Sequence, residues 1–206
     1  MKKIIFSLAV IIGSTALLNA QDIQYGVKVG VNLSNLDVAP ESDPPAPSMR
    51  LGLNVGGFAE LGLADNFWFR PELTISTQGA NDEDVEVTQK VKLTYLNATF
   101  LAKYNLSNSI YLFAGPQVGF LVDGEFEEED KVSGEQDIFN ADAVYKNLDV
   151  SVGLGIAYNF DMGIGLDLRY NLGLTDNNDD PQENAFYNVN QELKSRVVQL
   201  ALSYTF

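Results

Sequence analysis

The chain has 206 residues, a formal net charge of −15, no cysteine and no histidine. Disulfides and thiolate chemistry are therefore excluded, as are a His-containing catalytic triad and the commonest protein metal ligand. The acidity argues against nucleic acid as a partner, and no basic stripe interrupts it.

The N-terminus reads Met1-Lys2-Lys3, then an apolar run from Ile4 to Leu18, then Asn19-Ala20. A positive tip, a hydrophobic stretch and a small residue are the parts of an export signal. The apolar run has 15 residues, short of the roughly 20 that a spanning helix needs. Residues 1–20 are thus expected to be a signal peptide cut after Ala20, and residues 21–206 one domain. Losing Lys2 and Lys3 makes the remaining chain two units more acidic.

Beyond residue 20 the chain repeats one pattern, alternation at period two, which marks strands rather than helices. In Tyr25–Leu33 the residues Tyr25, Val27, Val29, Val31 and Leu33 oppose Gly26, Lys28, Gly30 and Asn32. The second strand, Leu51–Leu63, sets Leu51, Leu53, Val55, Ala59, Leu61 and Leu63 against Asn54, Phe58 and Glu60. The third, Phe67–Gln78, opposes Phe67, Phe69, Leu73 and Ile75 to Arg70, Glu72, Thr74 and Ser76. A fourth strand, 92–104, has mixed parity: Phe100, Ala102 and Tyr104 point out and Thr99 and Lys103 in, but Leu93 and Leu101 then fall inside. A bulge near Tyr95-Leu96 would reset its phase. The fifth, Ile110–Val122, turns Leu112, Val118, Phe120 and Val122 away from Tyr111 and Gln117.

The last three strands are the most regular. Leu148, Val150, Val152, Leu154, Ile156, Tyr158 and Phe160 share one face of the sixth, and Asp149, Ser151, Gly153, Gly155 and Asn159 the other. In the seventh, Met162, Ile164, Leu166, Leu168, Tyr170, Leu172 and Leu174 oppose Gly163, Gly165, Asp167, Arg169 and Asn171. The eighth opposes Val198, Leu200, Leu202, Tyr204 and Phe206 to Gln199, Ser203 and Thr205.

Connections alternate in length. Tight turns fall at Asp65-Asn66, at 106–108 and near Asp161; long segments cover 34–50, 79–89, 123–146 and 176–193. Spanning strands need about 9–11 residues, and backbone groups in lipid must all be paired, so the strands must close on themselves. The fold class is therefore all-β: an eight-stranded antiparallel up-and-down transmembrane β-barrel with short periplasmic turns and long extracellular loops, in the outer membrane of a Gram-negative cell. A soluble lipocalin-like barrel or sandwich would bury the apolar face instead.

A barrel of eight strands is only wide enough for its own side chains. Its inward positions hold Lys28, Glu60, Arg70, Glu72, Asp167 and Arg169, and charges in such a space must be paired. The expectation is a structural lumen network centred on Arg70 and Arg169, ahead of ion passage or a catalytic carboxylate pair. Tyr25, Phe67, Tyr104, Tyr158, Phe160 and Phe206, near the short-turn ends, suit an interfacial aromatic girdle. In outer-membrane barrels a terminal aromatic is read by the assembly machinery; by that resemblance Phe206 is the assembly signal.

The long segments are acidic. The third contains Glu125, Glu127, Glu128, Glu129 and Asp130, a set of hard oxygens that makes Ca²⁺ a candidate ligand, although the spacing is not that of an EF-hand. No other cofactor is called for, and no nucleophile constellation marks an enzyme.

Several segments carry a family resemblance. Gly26-Val27-Lys28-Val29-Gly30-Val31-Asn32-Leu33-Ser34-Asn35-Leu36, Phe69-Arg70-Pro71-Glu72-Leu73, Gly115-Pro116-Gln117-Val118-Gly119-Phe120-Leu121, 165–175 and the closing 196–206 together resemble the PorT-like outer-membrane β-barrel family of Bacteroidetes. The fourth strand departs from that family's Tyr-Leu-Glu-Ile-Pro: Tyr95-Leu96 is followed here by Asn97-Ala98-Thr99. The resemblance implies a porin-like outer-membrane protein surrounded by lipid and lipopolysaccharide and inserted by the barrel-assembly machinery. The reading is a non-enzymatic barrel with a structural or interaction role and acidic outer loops. The alternatives are an accessory component of a secretion or envelope-assembly complex with an envelope protein partner, a lipid- or lipopolysaccharide-modifying enzyme, and a narrow channel.

Overall fold

The computed structural model describes residues 23–38, 48–83, 87–131, 136–140, 145–176 and 193–206. The expected signal peptide, residues 1–20, lies outside them. The described chain forms β1 (Ile23–Val38), β2 (Ser48–Ala64), β3 (Phe67–Glu83), β4 (Val87–Asn105), β5 (Ile110–Asp130), β6 (Gln136–Asn140), β7 (Leu148–Asn159), a short 3₁₀ turn at Asp161–Gly163, β8 (Ile164–Gly173) and β9 (Leu193–Thr205). All pairings are antiparallel. The order runs β4-β3-β2-β1-β9-β8-β7-β5, and β4 also pairs with β5, so eight strands close into a ring. The predicted sixth, seventh and eighth strands are β7, β8 and β9.

Alternation decides which face is buried. Along β8 every even-numbered residue is exposed and every odd one buried. The exposed set on the other strands is apolar too: Val27 and Val29 on β1, Leu51, Leu53 and Val55 on β2, Leu154 on β7 and Leu200 and Leu202 on β9. Inside lie Lys28, Asn32, Asn54, Glu60, Arg70, Glu72, Lys103, Asp167 and Arg169. An apolar exterior of that extent is incompatible with a water-soluble barrel, which would reverse the two faces.

The short turns lie at one rim together with both described chain ends: Phe206 N–H donates to the Tyr25 carbonyl (2.9 Å). The wall is uneven in height. β7 and β8 have 12 and 10 residues, close to the roughly 9–11 of a spanning strand, whereas β3, β4 and β5 have 17, 19 and 21 and project beyond the opposite rim.

Three expectations are corrected. First, among the described residues a ninth strand adds to the eight of the ring, because the long third segment folds partly into β6, which pairs with 125–129 of β5. Second, 79–83 and 123–130 are strand rather than loop. β4 pairs with β3 through Thr88↔Glu83 and with β5 through Val87↔Asp130, and the charges that looked loop-like meet opposite charges across the ladder: Lys92–Glu125 at 2.7 Å and Lys90–Glu129 at 3.6 Å. Third, β4 keeps one phase without a bulge at Tyr95-Leu96. Val91, Leu93, Tyr95, Asn97, Thr99, Leu101 and Lys103 are all buried, in unbroken register with β3. The irregularity sits on the neighbouring strand: Thr94 faces Asp123 and Tyr95 faces Leu121, leaving Val122 as the extra residue of β5. The inward leucines are not misplaced. Leu101 packs with Phe113 and Ala157 low in the lumen, and Leu93 with Ala80, Val91, Tyr95 and Tyr145 at the long-loop end.

Candidate functional site

The lumen gathers its charges near the short-turn half. β3 contributes Arg70 and Glu72, two residues apart and therefore on one face. β8 does the same with Asp167 and Arg169. β3 and β8 are separated by four staves of the eight-stave ring in either direction, so these four side chains meet across the full diameter. Arg70 Nη2 donates to Asp167 Oδ2 at 3.0 Å. Arg169 forks onto Glu72, Nη1 to Oε2 and Nη2 to Oε1, both at 2.8 Å. The bidentate guanidinium–carboxylate pair is the strongest of the ion-pair geometries.

Charges from three further strands, β1, β2 and β4, complete the cluster. Lys28 on β1 donates to Glu72 Oε2 (3.2 Å) and Gln199 Oε1 (3.1 Å). Glu60 on β2 lies 3.5 Å from Arg70 Nη1 and accepts from Lys103 Nζ at 2.7 Å on both oxygens. Arg70 Nε is also 2.9 Å from Glu72 Oε1. Thus Arg70 touches three carboxylates and Glu72 three cations. Aromatic faces cover what carboxylates do not: Phe58 lies 3.9 Å from the Arg70 guanidinium, Tyr111 4.0 Å from Lys103 and Phe113 4.9 Å from Arg169.

Above this layer a neutral network takes over. Asn32 Nδ2 donates to Ser76 Oγ (2.8 Å), and Asn32 Oδ1 accepts from Asn54 (3.0 Å) and Gln199 (3.1 Å), tying β1, β2, β3 and β9 together. Higher still, Asp149 accepts from Thr175 (3.0 Å) and Ser195 (2.9 Å).

The structure places Lys28, Glu60, Arg70, Glu72, Asp167 and Arg169 in one connected cluster. Lys103 belongs to it as well and was missing from the set read off the sequence. Its inward phase with Thr99 was the signal, masked by the mixed parity of the fourth strand. Glu125, Glu127, Glu128 and Glu129 are spread along a strand whose alternate residues point to opposite faces, and Asp130 ends that strand. Among the described residues no group of three or more potential ligands converges on a metal position. Phe206 stands 75 % exposed at the short-turn rim, its ring 5.5 Å from that of Tyr204.

The sequence profile described as "Outer membrane protein beta-barrel domain" matches residues 19–179. The chain belongs to that family. No curated protein matches the sequence. Among solved structures, neisserial surface protein A superposes with a TM-score of 0.55 at 9% identity, covering 90% of this chain and 100% of its own. Ail, the attachment invasion locus protein of Yersinia pestis, gives 0.51 at 13% identity with the same coverage. At such identities the likeness is one of fold: a small closed outer-membrane barrel. The outer-membrane family member described here is therefore set in a lipid bilayer, with paired charges occupying its lumen.

Proposed function

We propose that this chain is a membrane-anchored barrel with a structural or interaction role, whose lumen is a packed core rather than a conduit. The observation that carries this reading is the diametric contact of Arg70 with Asp167 and of Glu72 with Arg169, which fills the cross-section of an eight-strand ring. Short turns facing the periplasm and the tall β3–β5 wall facing outward follow the rule for such barrels. A signal peptide over residues 1–20, lipopolysaccharide as the outer-leaflet neighbour and Phe206 as the residue read by the assembly machinery complete the proposal, as does the PorT-like affiliation with Bacteroidetes.

The tall wall carries Glu125, Glu127, Glu128, Glu129 and Asp137 against Lys90 and Lys92, so its field favours cationic partners. A polyanion such as sucrose octasulfate, the heparin analogue with which the structure of Ail has been solved, would be repelled by such a wall. The reading is tested in planar bilayers. The purified protein is expected to insert without steady conductance, and reproducible ohmic conductance of the unmodified chain would replace it with the channel reading.

A second reading, an accessory subunit of a secretion or envelope-assembly complex, draws on β6. Among the described strands it is the one with a single neighbour, and its Ile138 and Phe139 are exposed. Crosslinking from position 138 in intact cells would capture a defined envelope protein if this reading holds, and lipid alone if it does not.

A further inference from the structure

The hydrophobic alternation of a strand detects a slip of one residue, because every side chain then changes face. It is blind to a slip of two. β8 is especially exposed to that error: its outward face repeats Ile164, Leu166, Leu168, Tyr170 and Leu172, and a shift by two replaces one apolar residue by the next. Elsewhere the ladder carries steric pins. Gly26 lies opposite Phe58, and a Cβ there would meet the Phe58 ring at 2.2 Å; Gly155 lies opposite Phe113, at 2.4 Å. These glycine–aromatic notches fix β1 against β2 and β5 against β7. The glycines of β8 have no such partner: Gly165 and Gly173 meet the small side chains of Ser203 and Ser195.

The charges of β8 supply what its apolar face lacks. On β3 the order from the short-turn rim is cation then anion, Arg70 then Glu72. On β8, which runs in the same direction across the lumen, it is anion then cation, Asp167 then Arg169. In the observed register both levels are attractive. If β8 moves two residues toward the short-turn rim, Arg169 comes level with Arg70. If it moves two residues the other way, Asp167 comes level with Glu72. Either slip breaks both pairs and puts like charges face to face in a buried space.

We propose that the cross-lumen quartet Arg70, Glu72, Asp167 and Arg169 sets the register of β8 in the closed barrel, by a sign order that penalises slips of two residues in both directions. This role is specificity of closure and goes beyond stability. It rests on the reading of the lumen as a packed core.

The absence of native cysteine makes the test direct. Leu168 faces Leu200 in the observed ladder. Three cysteine pairs report the register after oxidation of the folded full-length protein in vesicles: Leu168→Cys with Leu200→Cys for the observed one, and Leu166→Cys or Tyr170→Cys with Leu200→Cys for the two slips. A two-residue shift moves the partner by about 6.8 Å, beyond disulfide reach, so each register is expected to favour its own pair by roughly tenfold. Each pair is placed in three backgrounds: unmodified, Asp167→Asn with Arg169→Gln, and Asp167→Arg with Arg169→Asp.

The unmodified chain should form the 168–200 bridge almost alone. In the neutral background the slipped bridges should appear beside it. In the inverted background they should dominate, because the observed register then sets like charges opposite at both levels and each slip restores one attraction. A network that only stabilises would keep the 168–200 bridge dominant in every background that folds, and that result would overturn the proposal. Where the inverted chain does not fold, the neutral background decides, and a lone 168–200 bridge there is equally fatal. Glu72→Gln with the 168–200 pair separates the two claims: lowered stability with the bridge unchanged upholds the packed core whatever the register result, and unchanged stability removes the core reading itself.

Discussion

Glu72→Gln is the substitution on which the lumen account bears most heavily. The carboxylate receives both guanidinium nitrogens of Arg169 at 2.8 Å and the Lys28 ammonium at 3.2 Å, and lies 2.9 Å from Arg70 Nε. In the cluster four cations, Lys28, Arg70, Lys103 and Arg169, face three carboxylates, Glu60, Glu72 and Asp167. The amide keeps the shape and leaves four cations against two carboxylates, with an NH₂ donor turned toward groups that can only donate. Removing one partner of a buried ion pair costs about 3–5 kcal/mol, far above the value of an exposed pair. The assay is urea unfolding in lipid vesicles, followed by the fluorescence of Trp68, the single tryptophan. Replacing both partners, Glu72→Leu with Arg169→Met, should cost less than Glu72→Gln alone, because no unmatched guanidinium is left at that position. A loss below about 1 kcal/mol for Glu72→Gln would show that water reaches the cluster and screens it, and the packed-lumen reasoning would fail.

Other substitutions separate the faces. Lys92→Ala removes a pair whose side chains are about one-third exposed and should change unfolding free energy by less than about 1 kcal/mol in the same assay. Gly26→Ala places a methyl 2.2 Å from the Phe58 ring and 2.6 Å from the Tyr204 carbonyl, so overpacking of about 1–3 kcal/mol should appear as a lowered urea midpoint. Leu168→Arg puts a charge on the lipid face near the middle of β8 and should cost about 2–4 kcal/mol, read as loss of the heat-modifiable folded band on gels after refolding into vesicles.

The parts of the fold legible in sequence were those where lipid and lumen impose opposite chemistry. β8 alternates without exception and β7 and β9 nearly so, with Ala157, Val197 and Ala201 the apolar residues that turn inward, and the inward charges Lys28, Glu60, Arg70, Glu72, Asp167 and Arg169 stand out because hydrocarbon tolerates none of them. β4 was less legible because its interior is not uniformly polar: Leu93 and Tyr95 cap the lumen at the long-loop end, and Leu101 packs on Phe113. That ambiguity also hid Lys103. The outer half of β5 looks like loop in the sequence because Glu125–Asp130 has no apolar face to bury; it is strand because β4 and β6 pair with it on both sides in the region beyond the short wall. Which carboxylate meets which cation depends on strands distant in sequence that face each other across the ring, information that periodicity along one strand does not hold.

Nitroxide labels on single cysteines test the central claim, that the outward apolar residues meet hydrocarbon. Leu154→Cys, Val55→Cys and Leu200→Cys, labelled in vesicles, should be relaxed strongly by oxygen and weakly by a water-soluble nickel chelate, as labels in a bilayer interior are. Strong relaxation by the nickel chelate at all three positions in folded protein would place those side chains in water and contradict the barrel's orientation in the membrane.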